Sequence, residues 1–289
     1  MAIKRTDLRA FTDEAQHVIL HGIDQTTGAA SPVSARTGKL QTVSYETAIG
    51  IGERVGHVVF RGFGRREALT TAAAGDDIWD GTSPLIPYPN QSNGEQIAFV
   101  STSAADSESG AGVQQIEIHY LNNAGTALIE ILTLNGTTPV NSAAINIRFI
   151  QYINAHRVGT FGASATGRIT AYKLATPTTV YSVISIGAGI SLSSARMIPA
   201  GKSFYLNYIA VTGVSSKPLS IRLTATCDNG GTITPGIFLA NEIFEIQDST
   251  ATVVVSVPRK FPEFSIIKGA AISNTAGGAC SVSYGGWIE

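Results

Sequence analysis

The chain has 289 residues, with 20 Lys and Arg against 21 Asp and Glu, so only 14% of it is charged, where a soluble domain carries about 25%. Its 44% hydrophobic content supplies ample material for a core and excludes disorder of the bulk, while a net charge of −1 gives no global positive field for nucleic acid or anionic lipid.

In chain order, residues 1–53 read as an N-terminal arm. Thr6 or Asp7 can cap a short helix running through Leu8, Phe11, Ala15 and Val18, and turn signals at Gly28-Ala29-Ala30-Ser31-Pro32 and Thr37-Gly38-Lys39 flank extended pieces such as Val43-Ser44-Tyr45. The arm buries little by itself and reads as a docking extension. Lys4-Arg5 is followed by acidic residues rather than an apolar run, so no secretory signal is expected, and no stretch reaches the roughly 18 apolar residues of a membrane span.

From residue 54 the hydrophobic period becomes two. Strands are expected at Val58–Phe60, Ile97–Val100, Ile116–Tyr120, Ala127–Leu134 and Ile145–Ile150, separated by Gly110-Ala111-Gly112, Asn122-Asn123-Ala124-Gly125 and Asn135-Gly136-Thr137-Thr138-Pro139. The Asn-Gly pair is the strongest short hairpin signal among them. Residues 54–175 thus form an acidic first β domain. Thr176-Pro177-Thr178-Thr179 reads as a linker into a second β domain, 176–289, with strands at Val180–Ile186, Phe204–Val211, Leu219–Ala225, Ile243–Ile246, Val253–Val257, Phe264–Ile267 and Cys280–Tyr284. The expected fold is all-β: the arm followed by two antiparallel β-sandwich domains of jelly-roll type.

Charge is distributed unevenly. No Lys or Arg lies between Arg66 and Arg148, a stretch that holds nine acids, whereas the residues up to Arg66 carry nine bases against six acids and those from Arg148 onward eleven against six. Such asymmetry fits a basic element of one copy meeting an acidic domain of another.

The candidate sites are few. Arg61-Gly62-Phe63-Gly64-Arg65-Arg66 interleaves aromatic and basic residues as RNA-binding segments do, but in a chain of net charge −1 the better reading is a contact in which Arg61, Arg65 and Arg66 meet carboxylates of a neighbour. Asp76-Asp77-Ile78-Trp79-Asp80 offers three carboxylates, yet Ile78 and Trp79 stand where an EF-hand loop needs polar ligands, so Asp76, Asp77 and Asp80 read as the acidic side of an interface shaped by a turn on a buried Trp79. Gly50-Ile51-Gly52-Glu53-Arg54-Val55-Gly56 misplaces the third glycine of a dinucleotide loop. His17 and His21 have i, i+4 spacing without a zincin glutamate, no Gly-x-Ser-x-Gly elbow occurs, and Cys227 and Cys280 have no CxxC context. No catalytic residue, metal site or cofactor is expected.

Asp77-Ile78-Trp79-Asp80-Gly81, Thr133-Leu134-Asn135-Gly136-Thr137-Thr138-Pro139-Val140 and Ile198-Pro199-Ala200-Gly201-Lys202 followed by Tyr205 together resemble a group of virion structural proteins of tailed bacteriophages. The resemblance covers residues 55–289. It implies β-sandwich modules on the surface of a particle assembled in the host cytoplasm, contacting the major capsid protein or other virion proteins, as oligomers for which a homotrimer is the expectation. A capsid decoration (cement) protein is the first reading and a tail or neck appendage binding a host receptor the second; neither requires nucleic-acid or membrane binding. The composition agrees independently, because permanent interfaces are depleted in charge.

Overall fold

A computed structural model describes residues 11–12, 18–19, 21–23, 30–32, 45–52, 54–71, 75–160, 162–215, 218–226, 238–273 and 276–289. The chain divides into two compact units, 1–53 and 54–289. In the first, β1 (Phe11–Thr12) pairs antiparallel with β2 (Val18–Ile19), β3 (His21–Ile23) pairs with β4 (Ala30–Pro32), and α1 spans Tyr45–Gly50. The expected helix through Phe11 and Val18 is therefore corrected to paired strands, as suits the β-branched Thr12, Val18 and Ile19. The helix lies instead at α1, over a residue expected to be extended, and Gly52 at φ 78° follows it with its amide bonded to Ile49 O at 3.0 Å.

In the second unit the strands in order are β5 (Val58–Arg66), β6 (Asp76–Asp77), β7 (Ile97–Ser101), β8 (Val113–Asn122), β9 (Ala127–Thr133), β10 (Val140–Asn141) and β11 (Ile147–Val158). They continue as β12 (Ile169–Lys173), β13 (Thr176–Ile184), β14 (Arg196–Met197), β15 (Phe204–Val214), β16 (Leu219–Thr226), β17 (Phe238–Ile246), β18 (Ser249–Phe261), β19 (Ile266–Ser273) and β20 (Ala279–Ile288). The fold is all-β, and every pairing is antiparallel.

Two sheets are built from the ends of the unit. One has the order β18-β15-β20-β5, the other β14-β19-β16-β17, with β6 lying along the same side of β19 as β14 and end to end with it. Alternate residues of both sheets point into one shared core: Phe204, Leu206, Ile209, Val282 and Tyr284 from the first meet Leu219, Ile221, Leu223, Ile267 and Ala271 from the second. Tyr284 is wholly buried, and its hydroxyl lies 2.7 Å from Ser194 O and 2.9 Å from Ile267 O, so its one polar atom is satisfied where it stands.

The segment between β6 and β14 builds two further sheets, β10-β7-β12-β13 and β11-β8-β9, around a second core centred on Ile97, Phe99, Ile116, Ile118, Ile153 and Ile169. A third cluster, with Trp79, Leu121, Phe149, Val183, Met197 and Ile266, draws residues from both pairs of sheets.

The expected linker at Thr176–Thr179 is instead the start of β13. It pairs with β12 across a turn at Ala175, φ 63°. Thr favours a strand, and Pro177 costs no ladder bond because β13 lies at the sheet edge. The position 175/176 thus falls inside a hairpin, while β5 hydrogen-bonds to the last strand of the chain. Of the turns, Asn122–Gly125 closes the β8–β9 hairpin, with Gly125 N on Asn122 O at 2.8 Å and Thr126 N on Asn122 Oδ1 at 2.9 Å. Asn135-Gly136 also turns the chain, but it joins β9 to a strand of the other sheet rather than to its neighbour.

Candidate functional site

β5 carries the basic cluster, and its pleat divides it. Gly62, Gly64 and Arg66 face inward, whereas Arg61, Phe63 and Arg65 are exposed. The glycines are there for space: a Cβ on Gly62 would stand 2.2 Å from the Tyr284 ring, and one on Gly64 would stand 2.3 Å from Ile78 O. Arg65 pairs with the exposed Glu67, at 2.9 Å, a contact worth about 1 kcal/mol at most.

Arg66, expected at an intersubunit surface, is buried within the chain. Its Nε donates to Asp76 Oδ2 at 3.0 Å and Nη1 to Gly81 O and Ser83 O at 3.1 and 2.9 Å. Asp76 accepts in addition from Thr70 N and Thr70 Oγ1, each at 2.7 Å. The neighbouring Asp77 is buried too. It lies 2.7 Å from Lys268 Nζ and accepts from Ile86 N at 2.8 Å. Trp79, 1% exposed, donates its indole N–H to Ser83 O at 2.9 Å and sits in the cluster that joins the two pairs of sheets. Asp80 is half-buried and accepts from Ser185 Oγ at 2.9 Å; burial raises its carboxyl above the ordinary range, and that hydrogen bond opposes the shift.

The three residues Arg66, Asp76 and Asp77 are therefore corrected from surface to interior, while Trp79 is buried as expected. The three aspartates share no common centre: Asp76 serves Arg66, Asp77 serves Lys268 and Asp80 serves Ser185. Of the residues singled out, Arg61 and Arg65 remain at the surface.

Sequence reasoning missed two arrangements on the other pair of sheets. Glu117 binds His119 Nε2 through one carboxylate oxygen and His156 Nδ1 at 3.2 Å through the other; the His119 ring stacks on Tyr152 with centroids 4.1 Å apart. The hydrogen bond from His119 is the main cause holding the Glu117 carboxyl below its ordinary range. Alternation on β8 places Glu117 and His119 on one face, which is legible in sequence; the partner His156 comes from β11 and is not.

The second arrangement is a groove of about 620 Å³ between β5 and β9. Val59, Phe63, Leu128, Ile129 and Ile190 line it, and all five are more than a third exposed. Arg61, His119, Tyr152 and Arg196 supply its polar wall. Arg196 is buried and held by three carbonyls, Arg61 O at 3.1 Å, Ser193 O at 2.8 Å and Ala195 O at 2.7 Å, with its guanidinium 5.4 Å from the Tyr152 ring centroid. The volume is that of a ligand or peptide site. Its walls come from residues 58–63, 119–129 and 190–199, so no local motif announces it.

Among the described residues no three His, Cys, Asp or Glu side chains converge as metal ligands, and no helix is long and apolar enough to cross a membrane. Cys280 is buried and its thiol is pushed up to about 12, chiefly by burial; Cys227 and His17 lie outside the described residues.

No family model and no curated protein matches the chain. Among solved structures, weak likenesses are found to a chain in the structure of infectious bursal disease virus, Gx strain, with 10% identity, a TM-score of 0.20 and coverage of 78% of this chain and 72% of that one. A second is to the Gt strain of the same virus, with 9% identity, a TM-score of 0.16 and coverage of 80% and 76%. At these TM-scores the likenesses establish no common fold.

Proposed function

We propose that the chain is a non-enzymatic structural protein of a virus particle, and specifically a decoration protein on the head of a tailed bacteriophage. The observation that carries this reading is the strand order. Numbering β5, β6, β15, β16, β17, β18, β19 and β20 one to eight, the first sheet runs one-eight-three-six and the second two-seven-four-five. With the two-residue β14 set aside, we read this order as the interleaved double Greek key of a jelly roll, an architecture suited to shells and to lectin-type recognition because its two sheets bury each other's inner faces. The remaining sheets, β7 to β13, form a second β unit inserted between strands two and three. In this reading the two β domains are a discontinuous jelly roll and an insert, rather than 54–175 and 176–289 in series.

The surface chemistry supports assembly. Few charges, a free apolar groove and exposed Val254 and Val257 on the edge strand β18 are features a permanent contact would cover. Arg61 and Arg65 are the residues we assign to contacts with the major capsid protein or with neighbouring copies in a homotrimer. The protein would then act by adding buried interface across junctions of the shell, resisting the pressure of packaged genome. No step of chemistry is involved.

Electron microscopy of particles made without this protein tests the reading. Heads that lose a surface feature and open at lower temperature are expected. Heads of unchanged outline and stability beside a missing tail or neck feature would overturn it in favour of a receptor-binding appendage, which a copy number of tens rather than hundreds per particle would also indicate.

A further inference from the structure

We propose that the groove between β5 and β9 binds an alkyl carboxylate, its charged end on Arg196 and Arg61 and its chain lying across Tyr152, His119 and Ile129. The site belongs to the isolated subunit and does not depend on the role in a particle.

The head of the ligand is set by Arg196. It is only 6% exposed, and among the described residues its guanidinium pairs with no carboxylate, whereas the buried Arg66 and Lys268 are each neutralised by an aspartate. Nε and Nη1 are spent on the carbonyls of Arg61, Ser193 and Ala195. Nη2 makes no hydrogen bond to a described residue and is not sealed from solvent; its N–H groups open on the groove, whose wall includes Arg196. Burial pushes the guanidinium below its ordinary value, as expected of a cation whose surroundings do not compensate the loss of water. A buried charge of this kind calls for an anion that hydrogen-bonds to it. Arg61, whose carbonyl Arg196 holds, adds a second guanidinium at the rim, with no ion pair among the described residues. Glu117, on the face of β8 that carries His119, is tied to His119 and His156 instead.

The rest of the groove sets the tail. Gln151 also lines it, but both ends of its amide are committed to Met197, so free polarity is concentrated at the two arginines. Tyr152, His119 and Ile129 stand side by side on the adjacent strands β11, β8 and β9. At a strand spacing of about 4.8 Å they make a floor about 10 Å long, running from Arg196 to the open edge of the sheet. Val59, Phe63, Leu128 and Ile190 wall it with exposed apolar surface, which a hydrocarbon chain would cover. A ligand that suits both ends carries one anionic group on an unbranched apolar chain of that order of length, the chemistry of a medium-chain fatty acid. A phosphate head would bring more charge and more acceptors than Nη2 and Arg61 can satisfy.

The experiment uses the full-length protein and decanoate, kept below its micelle-forming concentration, with calorimetric titration and NMR contacts between the decanoate chain and protein methyl groups. We expect saturable one-to-one binding, with the chain in contact with Leu128 and Ile129. The alcohol decanol lacks the charged head and butanoate lacks the chain, and each is expected to bind about tenfold more weakly or worse. Arg196→Gln strips three carbonyls of their donor and is expected to fold poorly, so two exposed positions decide the matter. Arg61→Glu repels the head and Ile129→Glu places a charge on the floor; each should lower decanoate affinity about tenfold or more while leaving the thermal midpoint unchanged. The proposal is overturned by an absence of saturable binding, by decanol or decyl phosphate binding as tightly as decanoate, or by unchanged affinity in either variant. Self-association in sedimentation that expels decanoate as protein concentration rises would give the groove to a second copy and overturn it as well.

Discussion

Asp106 has no exposed surface, and its carboxylate gathers four donors. Oδ1 accepts from Val113 N at 2.9 Å and Thr166 N at 3.0 Å, and Oδ2 from Ser101 Oγ at 2.6 Å and Gly167 N at 2.8 Å. It ties the end of β7, the start of β8 and the segment before β12 to one point. Asp106→Ala would strand these donors in the interior, and the cost of unsatisfied buried groups sets an expected loss of about 4 kcal/mol, read as a fall in the urea midpoint. Lys268→Met would leave the Asp77 carboxylate buried without its cation, and a loss of about 3 to 5 kcal/mol is expected by the same assay. Glu117 makes a pH prediction. Its carboxyl is held below the ordinary value chiefly by the hydrogen bond from His119, so its contribution is present above the unfolded value and is lost as pH falls through the folded one. Thermal midpoints measured from neutral pH downward should therefore decline less steeply below the ordinary glutamate range, about pH 4.3, in Glu117→Gln than in the parent.

At the scale of elements, β5 decides the most. It is nine residues long, forms the edge of one sheet and lines the groove with its outer face. On its inner face Gly62 and Gly64 stand where Tyr284 and the backbone of Ile78 and Ser194 approach too closely for side chains, and Arg66 follows them on the same face. Gly64→Ala would force rigid backbone apart, and overpacking of this sort costs about 1 to 3 kcal/mol, so the variant is expected to unfold at lower denaturant while the exposed Arg61→Ala does not. The period-two rule applied through the whole of Val58–Arg66 puts Arg66 on the face of the glycines. That parity is the signal by which sequence alone could have moved it from surface to interior.

At the scale of the molecule, the cluster around Trp79 connects two cores that are otherwise separate sets of residues. Removing the indole deletes the largest fully buried side chain from that junction. A Trp-to-Ala change in a core costs about 3 to 5 kcal/mol. Here the loss falls on the coupling between cores, and we expect a single calorimetric transition in the parent to separate into two in Trp79→Ala. One transition shifted downward as a whole would show that the cores do not unfold independently.

The all-β class, the strands after residue 54 and the tight β8–β9 turn were determined by the sequence itself, because alternation and turn chemistry are local: Asn122 and Gly125 make their bonds within five residues. Strand pairing was decided by tertiary structure. β5 finds its partner more than 200 positions later in β20, and no local pattern distinguishes that strand from the others it could have joined. The same distance explains the aspartates, whose sequence cluster promised a shared acidic surface. Asp77 is instead neutralised by Lys268, 191 positions away, and Asp80 is bonded to Ser185, 105 positions away. A charge can be buried only when its partner arrives with it, and that arrival is a property of the assembled sheets.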